Sequence, residues 1–216
     1  MNVRINKYIA LATNISRREA DKLIINNKVE INGKKAVIGA EVDQTDHVYL
    51  SGKKILLKKF TTIALNKPRG YVCSRRGQGS KTLYDLLPKQ LNHLKPVGRL
   101  DKDSSGLILL TNNGDLAHKL SHPSNHKKKI YEIELNKSLS DDKKNMIERG
   151  ILLEDGLSKL QLSGTGKNWA VTMQEGRNRQ IRRTFSAVGC RVIKLHRRSF
   201  GDYKLNNIKE GEFIII

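Results

Sequence analysis

Apolar residues recur at helical spacing near the start of the chain. Ile5, Tyr8 and Ile9 fall on one face of a short predicted helix. Ser16 is followed three residues later by Glu19, which is the pattern of a capping box, and it predicts the start of a second helix. The pattern therefore predicts two short helices in succession.

A β-hairpin is predicted directly after these helices. The apolar segments 29–31 and 35–37 flank Asn32 and Gly33, a pair that favours the tight turn of a two-residue hairpin. Residues 48–50 form a further predicted strand. The lysine-rich segment 53–60 is the expected linker, so we predict a small first domain over residues 1–60, linker included.

The rest of the chain, residues 61–216, alternates between strand and helix patterns. Predicted strands lie at residues 62–65, 107–110, 130–135, 170–173 and 191–195. Predicted helices lie at residues 115–120, 140–147 and 178–188. No regular repeat of strand, helix and parallel strand is present, so we predict an α+β fold with a mixed, mostly antiparallel sheet flanked by helices.

The charge balance of the chain indicates what kind of partner the protein binds. The chain has 41 Lys and Arg against 21 Asp and Glu, a net charge of +20. Such a charge favours a polyanion, and nucleic acid is the default choice. No long basic amphipathic helix with aromatic anchors indicates a membrane, and the two cysteines, Cys73 and Cys190, are in no metal-binding spacing. We therefore expect a cytoplasmic protein with no membrane partner.

One acidic side chain stands out in this basic chain. In the segment 98–106, Arg99 and Asp101 flank a leucine, and a Ser-Ser-Gly turn leads into the apolar run of residues 107–110. This arrangement predicts a carboxylate held in a loop directly before a buried strand. Loops on rigid elements commonly carry catalytic groups, so Asp101 indicates chemistry on RNA rather than binding alone.

The first sixty residues resemble the S4 RNA-binding module. The resemblance is carried by the segments 4–9, 16–20 and 29–34. In that family two helices and a hairpin present a basic face to folded RNA. The resemblance implies that Arg17, Arg18 and Lys22 on the second helix bind RNA.

Five stretches of the second part, in order, resemble the RsuA/RluB/RluE/RluF-type group of ribosomal RNA pseudouridine synthases. They are the segments 67–70, 98–106, 129–131, 175–183 and 195–201. Together with the S4-like part, the resemblance covers essentially the whole chain. It implies that residues 61–216 form a pseudouridine synthase catalytic domain.

The resemblance also implies roles for three catalytic residues. Asp101 acts at ribose C1′ of a flipped uridine, as a nucleophile or by stabilising the cationic sugar. Arg182 pairs with Asp101 and keeps it ionised. Tyr131 stacks on the uracil and relays a proton. The isomerisation involves no redox change, so we expect no cofactor and no metal.

Basic residues around these positions are the expected RNA contacts. Lys129 lies two residues before Tyr131 and therefore points to the same face of the strand. Arg179 and Arg183 are one helical turn apart and share a face, with Arg182 turned inward. Arg99 is expected to enter the RNA and fill the space left by the flipped base.

Ribosomal RNA, or a ribosome-assembly intermediate, is the expected partner, and we expect a monomer. The segment 122–124 favours large-subunit (23S) over small-subunit (16S) RNA, and both stay open. One alternative is a non-catalytic S4-type RNA-binding or ribosome-assembly protein. Another is a different S4-bearing enzyme, such as a methyltransferase or a tRNA synthetase, although the nucleotide-binding signatures of those enzymes are not found in the sequence.

Overall fold

The computed structural model describes residues 2–216, which form two compact units with the boundary between Phe60 and Thr61. The first unit contains two helices and six short strands. They are β1 (Val3–Arg4), α1 (Ile5–Thr13), α2 (Arg17–Ile25), β2 (Val29–Ile31), β3 (Lys34–Lys35), β4 (Glu41–Val42), β5 (Val48–Leu50) and β6 (Lys53–Lys54).

The predicted patterns of the first unit are confirmed, with shifted ends. The Ser16 hydroxyl accepts a hydrogen bond from the Glu19 amide at 3.1 Å, so it caps α2 as expected. Asn32 and Gly33 both have positive φ, 49° and 80°, which is the geometry of the predicted hairpin turn between β2 and β3. Ile5, Tyr8 and Ile9 are buried in the core of this unit.

The second unit contains eleven strands, three α-helices and three short 3₁₀ helices. The strands are β7 (Thr62–Lys67), β8 (Lys95–Val97), β9 (Ser105–Thr111), β10 (Lys129–Leu135), β11 (Ile151–Leu153), β12 (Gly156–Ser158), β13 (Gln161–Thr165), β14 (Asn168–Met173), β15 (Val192–Phe200), β16 (Tyr203–Lys204) and β17 (Phe213–Ile215). The helices are α3 (Gly114–Ser121), α4 (Asp141–Arg149) and α5 (Gln180–Ala187), with 3₁₀ helices at Leu83–Leu86, Lys89–Leu91 and Pro123–Asn125.

Nine of these strands form one sheet, whose central path runs β13-β14-β10-β15-β9-β7-β17. All paired strands are antiparallel except β9 and β15, where His196 and Arg197 pair with Ser105 and Gly106. The predicted α+β class with a mixed, mostly antiparallel sheet is therefore confirmed.

The central strand β9 is apolar on both faces because both faces are covered. Ile108 and Leu110 pack into the core that includes Phe185 of α5. Leu107 and Leu109 pack into a second core with Leu120 of α3. A strand buried on both sides reads as a continuous apolar run, which explains the pattern that predicted it.

Some predicted bounds differ from the structure. The last helix was expected over residues 178–188, but α5 begins at Gln180 because Arg179 adopts a left-handed conformation with φ of 46°. Both cysteines are free and buried. Within residues 2–216, no helix has the length and apolar character needed to span a membrane.

Candidate active site

The second unit has a cleft of about 510 Å³. This volume lies within the range of about 300–1,000 Å³ that is common for small-ligand sites. Most of the charged residues predicted for the site line it. They are Arg99, Asp101, Lys129, Arg179 and Arg182, together with Tyr131.

Asp101 lies in the loop between β8 and β9, and that loop is held from several sides. The Lys67 ammonium at the end of β7 donates hydrogen bonds to the carbonyls of Ser104, at 2.7 Å, and Pro68, at 2.9 Å. The Cys73 thiol lies within hydrogen-bonding distance of both the carbonyl, at 3.2 Å, and the amide, at 3.4 Å, of Leu100. The backbone on both sides of Asp101 is therefore anchored to the sheet and to the neighbouring loop.

The side chains of Lys67 and Cys73 are buried, and burial shifts the pKa of both groups. Burial lowers the pKa of Lys67, although the charges of Cys73, Asp101 and Asp103 act in the opposite direction. Burial raises the pKa of the Cys73 thiol, so the neutral thiol that can donate to a carbonyl is favoured. Lys67 is fully buried, and burying its ammonium without these two hydrogen bonds would cost folding free energy.

The arginines of the segment 175–183 contact the Asp101 loop in a different way from the one predicted. We expected Arg182 to pair with Asp101, but its Nε lies 3.2 Å from Oδ2 of Asp103. Within residues 2–216, the arginine in ion-pair range of Asp101 is Arg179, with Nη1 3.6 Å from Oδ2. The turn closed by the hydrogen bond from the Ser104 amide to the Asp101 carbonyl brings Asp103 to the start of α5, where it meets both arginines.

Asp103 is consequently the hub of this charged cluster. Arg179 donates two hydrogen bonds to its carboxylate, each of 3.1 Å. Burial alone would raise the pKa of Asp103, but the hydrogen bonds from Arg179 and the charges of Arg182 and Arg179 outweigh it and lower that pKa. The left-handed backbone of Arg179, uncommon for a residue other than glycine, directs it toward both carboxylates.

Arg182 is turned inward, as predicted. Its side chain is 12% exposed, against 44% for Arg179 and 31% for Arg183. It donates hydrogen bonds to the carbonyls of Val192, at 2.8 Å, and Asp103, at 3.0 Å. Burial is the main reason why the pKa of Arg182 is lowered.

Tyr131 and Lys129 lie on the same face of β10 and both line the cleft. Tyr131 is buried, with a ring that forms part of the core as well as the cleft wall. The Lys129 ammonium donates to the carbonyls of Gln174 and Glu175, each at 3.2 Å. It therefore joins β10 to the loop that carries Arg179.

Arg99 and Arg183 differ in their surroundings. Arg99 is exposed at the cleft and makes no hydrogen bond or ion pair with any other residue in the range 2–216. Arg183 is outside the cleft lining and pairs with Asp155, with Nη2 2.6 Å from Oδ2. Arg177 binds the same carboxylate at 2.9 Å, so the hairpin of β11 and β12 is attached to the loop before α5.

In the first unit, Arg17, Arg18 and Lys22 are all exposed on α2. Arg17 donates a hydrogen bond of 3.3 Å to the side chain of Asn6. Within residues 2–216, Arg18 and Lys22 have no hydrogen-bond or ion-pair partner. Their exposure agrees with the basic face that the resemblance implies, and RNA binding by these residues stays a prediction.

From the sequence, no role was assigned to Lys67, Cys73 or Asp103, and no place inside the cleft to Arg197. Arg197 lines the cleft and is 2% exposed. The alternation of inward-facing residues along β15, which places it between Leu195 and Ser199, is the signal that could have identified it. For Cys73 no local pattern exists, because its partner Leu100 is 27 residues away.

Comparisons with known proteins agree with this geometry. Residues 61–187 match the family model described as RNA pseudouridylate synthase. The chain is 36% identical over 219 residues to ribosomal large subunit pseudouridine synthase B of Bacillus subtilis (strain 168), with coverage of 97% of this chain and 90% of that protein. It is 36% identical over 220 residues to the protein of the same name from Yersinia pestis, with coverage of 95% and 69%.

A solved structure described as a pseudouridylate synthase superposes with a TM-score of 0.72 at 32% identity, covering 99% of this chain and 96% of that chain. The similarity in sequence and in structure thus extends over nearly the whole chain. The family match covers the loop, the strand and the helix that carry Asp101, Tyr131 and Arg182 respectively. This chain therefore belongs to the RNA pseudouridylate synthase family.

Proposed function

We propose that the protein converts a specific uridine of large-subunit ribosomal RNA to pseudouridine, with Asp101 as the group that acts at C1′. The observation that carries this proposal is the position of Asp101. Its carboxylate is on an anchored loop beside Arg179, at a cleft that Tyr131 also lines. The relatives named as large-subunit synthases favour that RNA as the substrate.

The reaction needs a carboxylate beside the sugar and a place for the free base. The C1′–N1 bond breaks with its electron pair on the uracil, while an Asp101 oxygen bonds to C1′ or stabilises the cation there. The base turns, C5 bonds to C1′ and the contact with Asp101 is released. The C5 proton is then lost and N1 is protonated, so the product is an isomer of the substrate.

Other residues of the cleft support these steps in the proposal. Tyr131 stacks on the flipped uracil and relays a proton, and Arg182 holds the Asp101 loop through Asp103. The ion pair with Arg179, at 3.6 Å, orients the Asp101 carboxylate. Arg99, exposed and unpaired within residues 2–216, fills the space left in the RNA.

We further propose that residues 1–60 are an S4-like RNA-binding module and that the protein acts as a cytoplasmic monomer. The exposed cations Arg17, Arg18 and Lys22 would bind phosphates, together with Arg179 and Arg183 near the cleft. Replacing the first three by Gln should reduce the slope of log affinity against log salt by about 2 to 3, at roughly 0.7–0.9 per phosphate contact. A control with the exposed Lys137, Lys159 and Lys167 replaced by Gln should keep the original slope.

The test of activity uses unmodified large- and small-subunit RNA. Pseudouridine is mapped by carbodiimide modification and primer extension after incubation with the purified protein. We expect one modified uridine in large-subunit RNA, absent with Asp101→Asn and present with Asp142→Asn, an exposed carboxylate at the start of α4. Modification of small-subunit RNA would correct the substrate, and tight RNA binding without any pseudouridine would favour the non-catalytic alternative.

A further inference from the structure

The floor of the cleft contains a buried cation with no anionic partner. Arg197 is 2% exposed, and its Nε donates a hydrogen bond of 2.7 Å to the Leu107 carbonyl. Its Nη2 is buried without a hydrogen-bond partner, and no carboxylate of residues 2–216 forms an ion pair with it. Burying an unpaired charge costs folding free energy, so a function is the expected reason for keeping it.

A second cation lies beside it. The Lys129 ammonium and the Arg197 guanidinium are 5.3 Å and 5.0 Å from the centroid of the same ring, that of Phe200. Lys129 hydrogen-bonds to backbone carbonyls only, and burial followed by the charge of Arg197 lowers its pKa. Two neighbouring cations at the bottom of a cleft repel each other, so the site favours the binding of a negatively charged group.

The sheet places this pair next to the residue proposed to hold the base. Arg197 is the cross-strand partner of Tyr131 on β10, so the two side chains lie on the same face of the sheet. On its other side Arg197 pairs with Gly106, where a Cβ would lie only 2.4 Å from the Arg197 carbonyl oxygen. The missing side chain lets β9, which follows the Asp101 loop, approach β15 closely.

The depth of the site decides which part of the RNA it meets. Phosphates remain joined to the polynucleotide chain at the mouth of the cleft, whereas a flipped base enters the pocket. We propose that Arg197, assisted by Lys129, binds the uracil and stabilises the negative charge that it carries once its bond to C1′ has broken. This inference rests on the proposed function, because it assigns a further catalytic residue to the same reaction.

The chemistry of the detached base fits such a pair. The electron pair of the C1′–N1 bond leaves with N1 and is delocalised over the ring and onto O2 and O4. Guanidinium and ammonium donors that are already desolvated stabilise a developing charge more strongly than water does, since they need no reorganisation. The same contacts would retain the free base while it turns to present C5.

The test compares full-length Arg197→Gln with the unaltered protein under single-turnover conditions on ribosomal RNA. The Gln amide nitrogen occupies the position of the Arg Nε, so the hydrogen bond to Leu107 can persist while the charge is lost. Removal of one such donor from an oxyanion site typically slows the reaction by about 10²–10³, and we expect a loss of that order with RNA affinity unchanged. Arg198→Gln is the matched control, because Arg198 is 48% exposed and pairs with Glu132 at 3.4 Å.

A second substrate separates catalysis from a structural role. With 5-fluorouridine at the target position the fluorine already stabilises the departing base, so the deficit of Arg197→Gln should shrink. The loss of the target uridine or 5-fluorouridine is quantified by chromatography and mass spectrometry, because fluorine replaces the C5 proton whose loss completes pseudouridine. Arg197→Lys should retain part of the rate. If Arg197→Gln does not fold, Lys129→Gln takes its place, with the same dependence on the fluorine expected.

The outcomes distinguish this inference from the proposed function. An unaltered protein that makes no pseudouridine refutes the function. An active protein whose Arg197→Gln variant keeps the full rate refutes the inference alone. An equal deficit on uridine and on 5-fluorouridine also refutes it, because a merely structural role would slow both substrates alike.

Discussion

Replacing Asp103 by Asn should destabilise the second unit by about 2 kcal/mol at neutral pH. The paired side chains of Asp103 and Arg179 are 38% and 44% exposed, so this ion pair is worth only about 0.2–1 kcal/mol. Arg182 is 12% exposed and would lose its only carboxylate partner within residues 2–216, which costs about 1–2 kcal/mol more. With a denaturant slope of about 2 kcal/mol/M, the urea midpoint should fall by about 1 M.

Trp169 provides the measurement. It is the single tryptophan of the chain, and it is buried in β14 of the second unit, so its fluorescence in urea reports the unfolding of that unit. Glu132→Gln is the control, since Glu132 forms an exposed ion pair with Arg198 at 3.4 Å and should change stability by less than about 1 kcal/mol.

The pH dependence of the unfolding free energy tests whether the ionised carboxylate of Asp103 causes this loss of stability. The pKa of Asp103 is lowered from its ordinary value of 3.8, so its contribution is fully present above pH 3.8 and is lost as the pH falls through the folded-state pKa. The stability difference between the unaltered protein and Asp103→Asn should therefore be constant near pH 7 and should close in acid. A difference below about 0.5 kcal/mol at pH 7, or one that persists unchanged at low pH, would refute the assignment of Asp103 as the hub.

Three further outcomes are expected from other parts of the site. Cys73→Ala leaves the buried Leu100 amide and carbonyl without their partner. Urea unfolding should therefore show an unfolding free energy lower by about 1–3 kcal/mol, and pseudouridine formation should slow. Unchanged stability would contradict this expectation. Gly106→Ala places a methyl group 2.4 Å from the carbonyl oxygen of Arg197 at a φ of 104°. We expect this variant to lose more than about 3 kcal/mol of unfolding free energy or to be insoluble. Normal expression with an unchanged melting temperature would contradict the close approach of the strands. Asp155→Asn weakens two arginine ion pairs at the hairpin turn and should increase amide exchange in residues 151–158, with Asp142→Asn as the control that leaves exchange there unchanged.

Local patterns were sufficient for most helices and strands. The pattern of residues 130–135 predicted β10, and that of residues 115–120 predicted α3. The ends were less accurate, since strand pairing lengthened β15 as far as Phe200 and the left-handed Arg179 shortened α5. Such ends depend on hydrogen bonds to distant strands, which a local pattern does not contain.

The sequence by itself determined the α+β class, the basic character and the candidate carboxylate Asp101. Only the tertiary structure decided which charges meet. Arg182 was expected at Asp101 but lies at Asp103, and Arg197 proved to be a buried cation beside Tyr131. The physical reason is that periodicity states which face a side chain occupies, whereas its partner is set by strand register and loop anchoring across separations of 27 to 90 residues.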